Sequence, residues 1–174
     1  DGTFPTATSQ WEKHSIAHEI PIWDAAICTQ CALCPLMCPH AAIRMNVYSP
    51  EQLKGAPAGF KSVPWRSKDG GAFDGWAYTL QVAPDDCTGC GICVDICPTR
   101  SKEMVKHKAI NMEPKLEHLE VERRNYEFFL GLPEIDRTSV RLDVKTTQFL
   151  EPLFEYSGAC AGCGETPYVK LLTQ

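Results

Sequence analysis

The pattern Cys-x2-Cys-x2-Cys-x3-Cys-Pro occurs twice in this chain. The first copy is Cys28, Cys31, Cys34 and Cys38 with Pro39, and the second is Cys87, Cys90, Cys93 and Cys97 with Pro98. Three thiols at this spacing let one tight loop reach three corners of a cubane iron–sulfur cluster. The same loop cannot also reach the fourth corner, and where the run is repeated the fourth cysteine ligates the other cluster. One 4Fe–4S cluster is therefore expected on Cys28, Cys31, Cys34 and Cys97, and a second on Cys87, Cys90, Cys93 and Cys38. Thiolates are soft donors that suit such clusters. A proline after the fourth ligand turns the chain away and removes a competing donor. Zinc also takes Cys-x2-Cys pairs, but it closes with four ligands and has no use for a repeated triple spacing.

The two loops are not equivalent. Gly89 and Gly91 allow positive φ in the second, so that backbone amides can point at sulfur. The first has Gln30 and Ala32 in place of glycine, and Pro35 removes an amide. The second is flanked by Asp85, Asp86 and Asp95. Hydrogen bonds to sulfur, burial and net charge set the reduction potential, so unequal potentials are expected.

The chain has 174 residues, 44% of them hydrophobic and 22% charged, a globular composition. A net charge of −5 argues against nucleic acid as a partner and fits an acidic surface that meets other proteins. No apolar run is long enough to span a bilayer, and residues 1–13 have no signal-peptide pattern. Ten cysteines in a secreted chain would suggest disulfides. Here each lies within four residues of another, a spacing for metal rather than long-range cross-links. A chain starting at Asp1 and stopping just after an apolar helical beginning (Tyr168, Val169, Leu171, Leu172) is expected to be a segment of a longer polypeptide.

Periodicity supplies the frame. Strands are expected at 18–23, at 43–47, at 76–82 and, closing the unit, at 107–112. With a short helix after each cysteine loop, the plan is strand, cluster loop, helix, strand, performed twice. Residues 1–17 read as a linker arm. The Gly/Pro/Ser/Lys-rich stretch 49–75 reads as an inserted surface loop. Leu116, Leu119, Arg123, Tyr126, Phe129 and Leu130 lie at helical spacing between Pro114 and Gly131, so an amphipathic helix is expected there. Residues 138–157 look partly extended.

Cys160 and Cys163 stand apart from the two runs. No strand-then-helix context marks them as a redox dithiol. As half of a metal site they need two more thiolates, and every other cysteine here is already used. His14, His18, His40, His107 and His118 form no paired catalytic arrangement, and only His40 adjoins a cluster ligand.

The stretches DGTFPTATSQWEK, IPIWD, CPHAAIR, DDCTGCGICVDICP and above all PLFEYSGACAGCGETPYVKLLTQ resemble the pyruvate:ferredoxin (flavodoxin) oxidoreductases. The likeness covers essentially the whole chain. The cysteine repeats are shared by many redox proteins, whereas SGACAGCGETPY is far more specific. Pro35 departs from the family pattern. The resemblance implies an α+β, bacterial two-cluster ferredoxin-like fold over 18–113, with a pseudo-twofold βαβ repeat and an insertion at 49–75. A helix and connecting segment (114–156) and the start of a thiamine-diphosphate domain (157–174) would follow. Enzymes of that family use thiamine diphosphate, Mg2+ and coenzyme A to convert pyruvate to acetyl-CoA and CO2. They pass electrons through three 4Fe–4S clusters to ferredoxin or flavodoxin. By matching position, Cys160 and Cys163 would be half of the proximal cluster's ligands, Glu165 would lie beside thiamine diphosphate, and this segment would carry no catalytic group. The complete enzyme would be a multidomain homodimer, cytoplasmic, or hydrogenosomal in a eukaryote. The alternatives are a free-standing two-cluster carrier, which has no use for half a site, and the same segment of an enzyme acting on another 2-oxoacid or reducing NADP.

Overall fold

Each of the two main strand pairs joins a strand flanking the first cysteine run to one flanking the second. In the computed structural model, which describes residues 3, 5, 8–66 and 73–174, β1 (Glu19–Trp23) pairs antiparallel with β5 (Ile110–Pro114). Strand β2 (Ile43–Tyr48) pairs antiparallel with β4 (Ala77–Val82), whose other edge takes the two-residue β3 (Val63–Pro64). Two five-residue helices, α1 (Leu33–Met37) and α2 (Ile92–Ile96), follow the cysteine loops. The order β1-α1-β2 is thus followed by β4-α2-β5, and neither triplet contains a strand pair of its own.

The first three expected strands are present. The closing strand begins three residues later than periodicity suggests, at Ile110. Residues before it are used otherwise: Arg100 bridges Lys108, and the Ala109 amide donates to the Thr99 carbonyl at 3.2 Å, closing a loop.

Alternation in β2 and β4 predicts one dry and one wet face, and only half of that holds. Met45 and Val47 face Leu80 and Tyr78 across the ladder in the core. The opposite face pairs Arg44 with Gln81 and Asn46 with Thr79, and all four are buried. Tertiary cover explains this, because β2 lies against the turn Thr146–Phe149 and β4 against helix α3 (Lys115–Leu130). Buried polar groups need partners. Thr79 Oγ1 donates to the Lys61 carbonyl at 2.8 Å, and the Gln81 side-chain amide donates to Thr79 Oγ1 at 2.7 Å. Arg44 stands 3.7 Å from Glu155 and over the Phe129 ring.

Helix α3 occupies the expected span but is rotated. Leu116 and Leu130, expected on the apolar face, are 85% and 54% exposed, while Lys115, Asn125, Tyr126 and Phe129 turn inward. Polar anchors set the rotation. Asn125 Nδ2 donates to the Gly59 carbonyl at 3.1 Å, Lys115 Nζ to Ser15 Oγ at 2.8 Å, and Arg123 grips both Asp85 oxygens at 2.7 and 2.9 Å. That pair holds the Asp85 carboxyl below its ordinary range, with Arg123 the largest cause.

The stretch 138–157 contains no strand among the described residues. Its 3-10 turns at Arg137–Ser139 and Thr146–Phe149 form because Asp136 and Asp143 accept from the amides of Thr138, Lys145 and Thr146, a local bond that competes with extended chain. Of the stretch 49–75, residues 67–72 lie outside the described residues. Its described part is packed rather than loose: Trp65 stacks on Tyr78 with centroids 5.8 Å apart, and Phe60 meets Phe128 edge-on. No helix among the described residues is long and apolar enough to cross a membrane.

Candidate metal centres

The eight repeated cysteines line two separate cavities. Cys28, Cys31, Cys34 and Cys97 share one, between Trp23, Tyr78 and Ile110. Cys87, Cys90, Cys93 and Cys38 share the other, between Pro21, Ile43 and Met112. The grouping crosses the sequence repeats as the spacing predicts: helix α1 ends at Cys38 and α2 at Cys97, each delivering its last thiol to the far cavity. Among the described residues no three His, Cys, Asp or Glu side chains converge closely enough for a single ion. Four thiols around a wider apolar space suit a cubane, whose iron corners are ligated one thiol each.

Both loops place backbone amides on sulfur in the same way. Gln30 N donates to Cys28 Sγ at 3.4 Å, and Gly89 N donates to Cys87 Sγ at 3.4 Å. The left-handed conformation this requires is taken by Gly89 (φ 70°) and Gly91 (φ 76°) in the second loop, and by Gln30 (φ 57°) and Ala32 (φ 66°) in the first. The expected shortage of amides in the glycine-free loop is thus not found at this position. The cost of a non-glycine residue there is met by anchoring: Gln30 is buried, its side chain donates to the Pro64 carbonyl at 2.9 Å and accepts from Arg66 N at 2.9 Å. The segment containing Pro64 and Arg66 therefore braces the first cysteine loop. A graded result is expected in denaturant unfolding of the assembled protein. Gly89→Ala should cost about 2 kcal/mol, because left-handed strain is joined by a new Cβ 3.3 Å from Ala17 Cβ and from the Glu19 carbonyl. Gly91→Ala, which meets nothing within 4 Å, should cost about 1 kcal/mol from strain alone. Equal costs would show that space around Gly89 is not limiting.

Electrostatics fit the donor set. Burial, and then the neighbouring Cys28, Cys93, Cys31 and Cys97, push the Cys34 thiol well above its ordinary value. Burial raises Cys87 to about 12 and also raises Cys38, which the Lys170 charge and then the backbone amides of His40, Ile43 and Ala42 partly offset. Thiols crowded in apolar space resist ionisation until a cationic iron centre is among them.

Two lysines complete the small helices. Lys108 Nζ donates to the carbonyls of Val94 and Asp95, at 2.5 and 3.2 Å, at the end of α2. Lys170, 1% exposed, donates to the carbonyls of Pro35, Leu36 (2.9 Å) and Cys38 (3.5 Å) at the end of α1. A cation there suits the orphan carbonyls and the helix dipole. Neither lysine was signalled by the sequence.

The third cysteine pair packs on the second cavity. Lys170 belongs to α4 (Thr166–Thr173), which starts three residues after Cys163. The helix expected from Tyr168, Val169, Leu171 and Leu172 is present; it turns Tyr168, Leu171 and Leu172 outward and buries Thr166, Pro167 and Lys170. A Cβ placed on Gly162 would lie 3.6 Å from Cys90 Cβ and from Ile92 Cδ1. His40 is buried, not a surface residue: Nδ1 meets Ser157 Oγ at 3.0 Å, Nε2 meets the Cys160 carbonyl at 3.2 Å, and its own carbonyl accepts from Tyr156 N at 2.9 Å. Cys163 has its thiol pulled down by the amides of Glu165 and Thr166 and by the Thr166 hydroxyl, which favours the ligating thiolate. Cys160 is exposed, and so is Glu165, which precedes α4.

Comparison with known proteins agrees with this geometry. A family model described as a 4Fe-4S dicluster domain matches residues 27–101. The whole chain is 55% identical to part of a probable pyruvate-flavodoxin oxidoreductase of Escherichia coli K12, of which it covers 15%. It is 56% identical to part of a pyruvate-flavodoxin oxidoreductase of a Nostoc species and 48% identical to part of a pyruvate:ferredoxin oxidoreductase of Moorella thermoacetica, covering 14% of each. The chain thus spans about one seventh of the length of these curated relatives.

Proposed function

We propose, on the premise that this chain belongs over its whole length to the pyruvate-flavodoxin oxidoreductase family, that it is the electron-conducting segment of such an enzyme. The parent enzyme oxidatively decarboxylates pyruvate to acetyl-CoA and CO2 and passes electrons to flavodoxin or ferredoxin. The observation that carries the reading is the crossed gathering of eight thiols around two adjacent cavities, with a further thiol pair packed on one of them. Residues 18–113 form the ferredoxin-like unit, and the matching left-handed positions and five-residue helices of its halves support a pseudo-twofold repeat.

The clusters supply one-electron carriage. The chain's residues hold them and set their order. Cys160 and Cys163 supply half of a third site, completed by two ligands from the rest of the parent polypeptide. Thiamine diphosphate and Mg2+ belong to that remainder, and Glu165 is the residue of this chain beside the organic cofactor. The entry side is the cavity of Cys38, Cys87, Cys90 and Cys93, because Gly162 and the His40 link abut it. The exit side is the cavity of Cys28, Cys31, Cys34 and Cys97. All four of these cysteine residues are partly exposed, whereas in the other group only Cys90 is, and Cys38, Cys87 and Cys93 are buried.

Anaerobic assembly with iron and sulfide tests the reading. About eight irons per chain are expected, with two one-electron signals in an EPR-monitored redox titration and no pyruvate oxidation by the chain alone. Zinc in place of iron, or a single reducible centre, would sink it.

A further inference from the structure

Residues 100–108 form a loop whose two ends, Thr99 and Ala109, are both wall residues of the cavity holding Cys28, Cys31, Cys34 and Cys97. Its base is tied by the Arg100–Lys108 bridge, the Ala109 amide on the Thr99 carbonyl, and Ser101 N on the His107 carbonyl at 2.8 Å. His107 is further held by Asp24 at 2.8 Å. The loop is thus fixed at its root and projects beside the mouth containing Cys97.

Its outer residues contrast with the chain as a whole, whose net charge is −5. Arg100, Lys102 and Lys106 are exposed and carry three positive charges against the single negative charge of Glu103. Between them stand two apolar side chains with little cover, Met104 at 56% and Val105 at 93% exposure. Lys106 takes a left-handed backbone (φ 72°) that closes the turn and keeps the tip outward. A cationic rim around a small apolar tip is the composition of a transient protein contact: charge steers the encounter and the apolar centre gives it a footing.

We propose that the 100–108 loop is the docking surface for a small acidic electron-carrier protein that is reduced at the cavity holding Cys28, Cys31, Cys34 and Cys97. This rests on the relay reading above. Charge complementarity selects the occupant. A carrier with an acidic rim around its own redox centre would be drawn to the one basic, apolar-tipped loop rooted in the wall of this cavity. It would be held off by acidic surface elsewhere.

The test uses the complete enzyme assembled with all its clusters, an acidic flavodoxin as probe, and methyl viologen as a small control acceptor. For K102E/K106E, kcat/KM for flavodoxin at low ionic strength should fall about tenfold or more. Affinity for oxidised flavodoxin, measured by titration calorimetry without turnover, should fall in parallel. The wild-type rate should drop steeply with added salt and the variant's should not. Methyl viologen reduction should not fall, and iron content should be unchanged. If flavodoxin reduction and affinity are unaltered while methyl viologen is still reduced, the docking proposal is overturned and the relay stands. If both acceptors fail with iron intact, the relay reading itself is wrong. If the loop is shielded from surface labelling in the complete enzyme, it is an internal contact of the parent chain, and the proposal is overturned.

Discussion

Replacing Cys97 by alanine is expected to damage the cluster of the first motif, although Cys97 belongs to the second. Its Sγ lies in the cavity walled by Cys28, Cys31 and Cys34. Cys38, from the first motif, lies with Cys87, Cys90 and Cys93. The cause is geometric. Each short helix begins beside one cavity, where Cys34 or Cys93 sits in its first turn, and ends beside the other. Variants should therefore sort into two groups by EPR signal and reduction potential. Cys97→Ala should match alanine variants at Cys28, Cys31 and Cys34, and Cys38→Ala should match those at Cys87, Cys90 and Cys93. In each, iron should fall below the full complement of about eight, with the other centre's signal unchanged. If Cys97→Ala perturbs the same signal as Cys87→Ala, the crossed assignment is wrong.

Lys170→Met should be the most damaging single change away from the cysteines. The ammonium is buried and donates to the last carbonyls of α1. Burial pulls its pKa down to about 8, with the nearby Cys38 the chief opposing influence. Methionine fills most of the volume but donates nothing. The Leu36 carbonyl would then lose its partner, at about 1–3 kcal/mol, while the Pro35 carbonyl would keep only the Cys38 amide at 3.3 Å. A loss of roughly 2–3 kcal/mol in denaturant unfolding of the assembled chain is expected from that orphaned group and the weakened cap. Hydrogen exchange should show α4 released from α1 before the strand pairs open. Removing a positive charge beside the Cys38 cavity should also lower the potential of the centre held there more than that of its neighbour. A stability change below about 0.5 kcal/mol, the range of an ordinary surface substitution, would show that water replaces the ammonium.

The cysteine groups, the four main strands and the span of α3 were legible in the sequence because each rests on a local signal. Thiol spacing is a property of one loop, and period-two alternation belongs to one strand. The rotation of α3 was not legible: its bonds run to Gly59, Ser15 and Asp85, far from it in the chain, and they outweigh the apolar stripe that Leu116 and Leu130 suggest. The buried polar face of Arg44, Asn46, Thr79 and Gln81 read as solvent-facing because its cover comes from α3 and from residues 146–149. The glycine-free first loop read as poor in amides because nothing local shows that Gln30 is braced by Pro64 and Arg66.

By itself, then, the sequence singled out ten thiols as candidate ligands and proposed how eight of them divide, since ligand reach along a short loop is set by residue spacing. Only the tertiary structure decided which cavity meets Cys160 and Cys163, and that Lys170 seals α1 across 132 to 135 residues of chain. Those are matters of distance and burial between segments remote in sequence, fixed when α4 and the His40 link close over the strand pairs, and no local pattern encodes them.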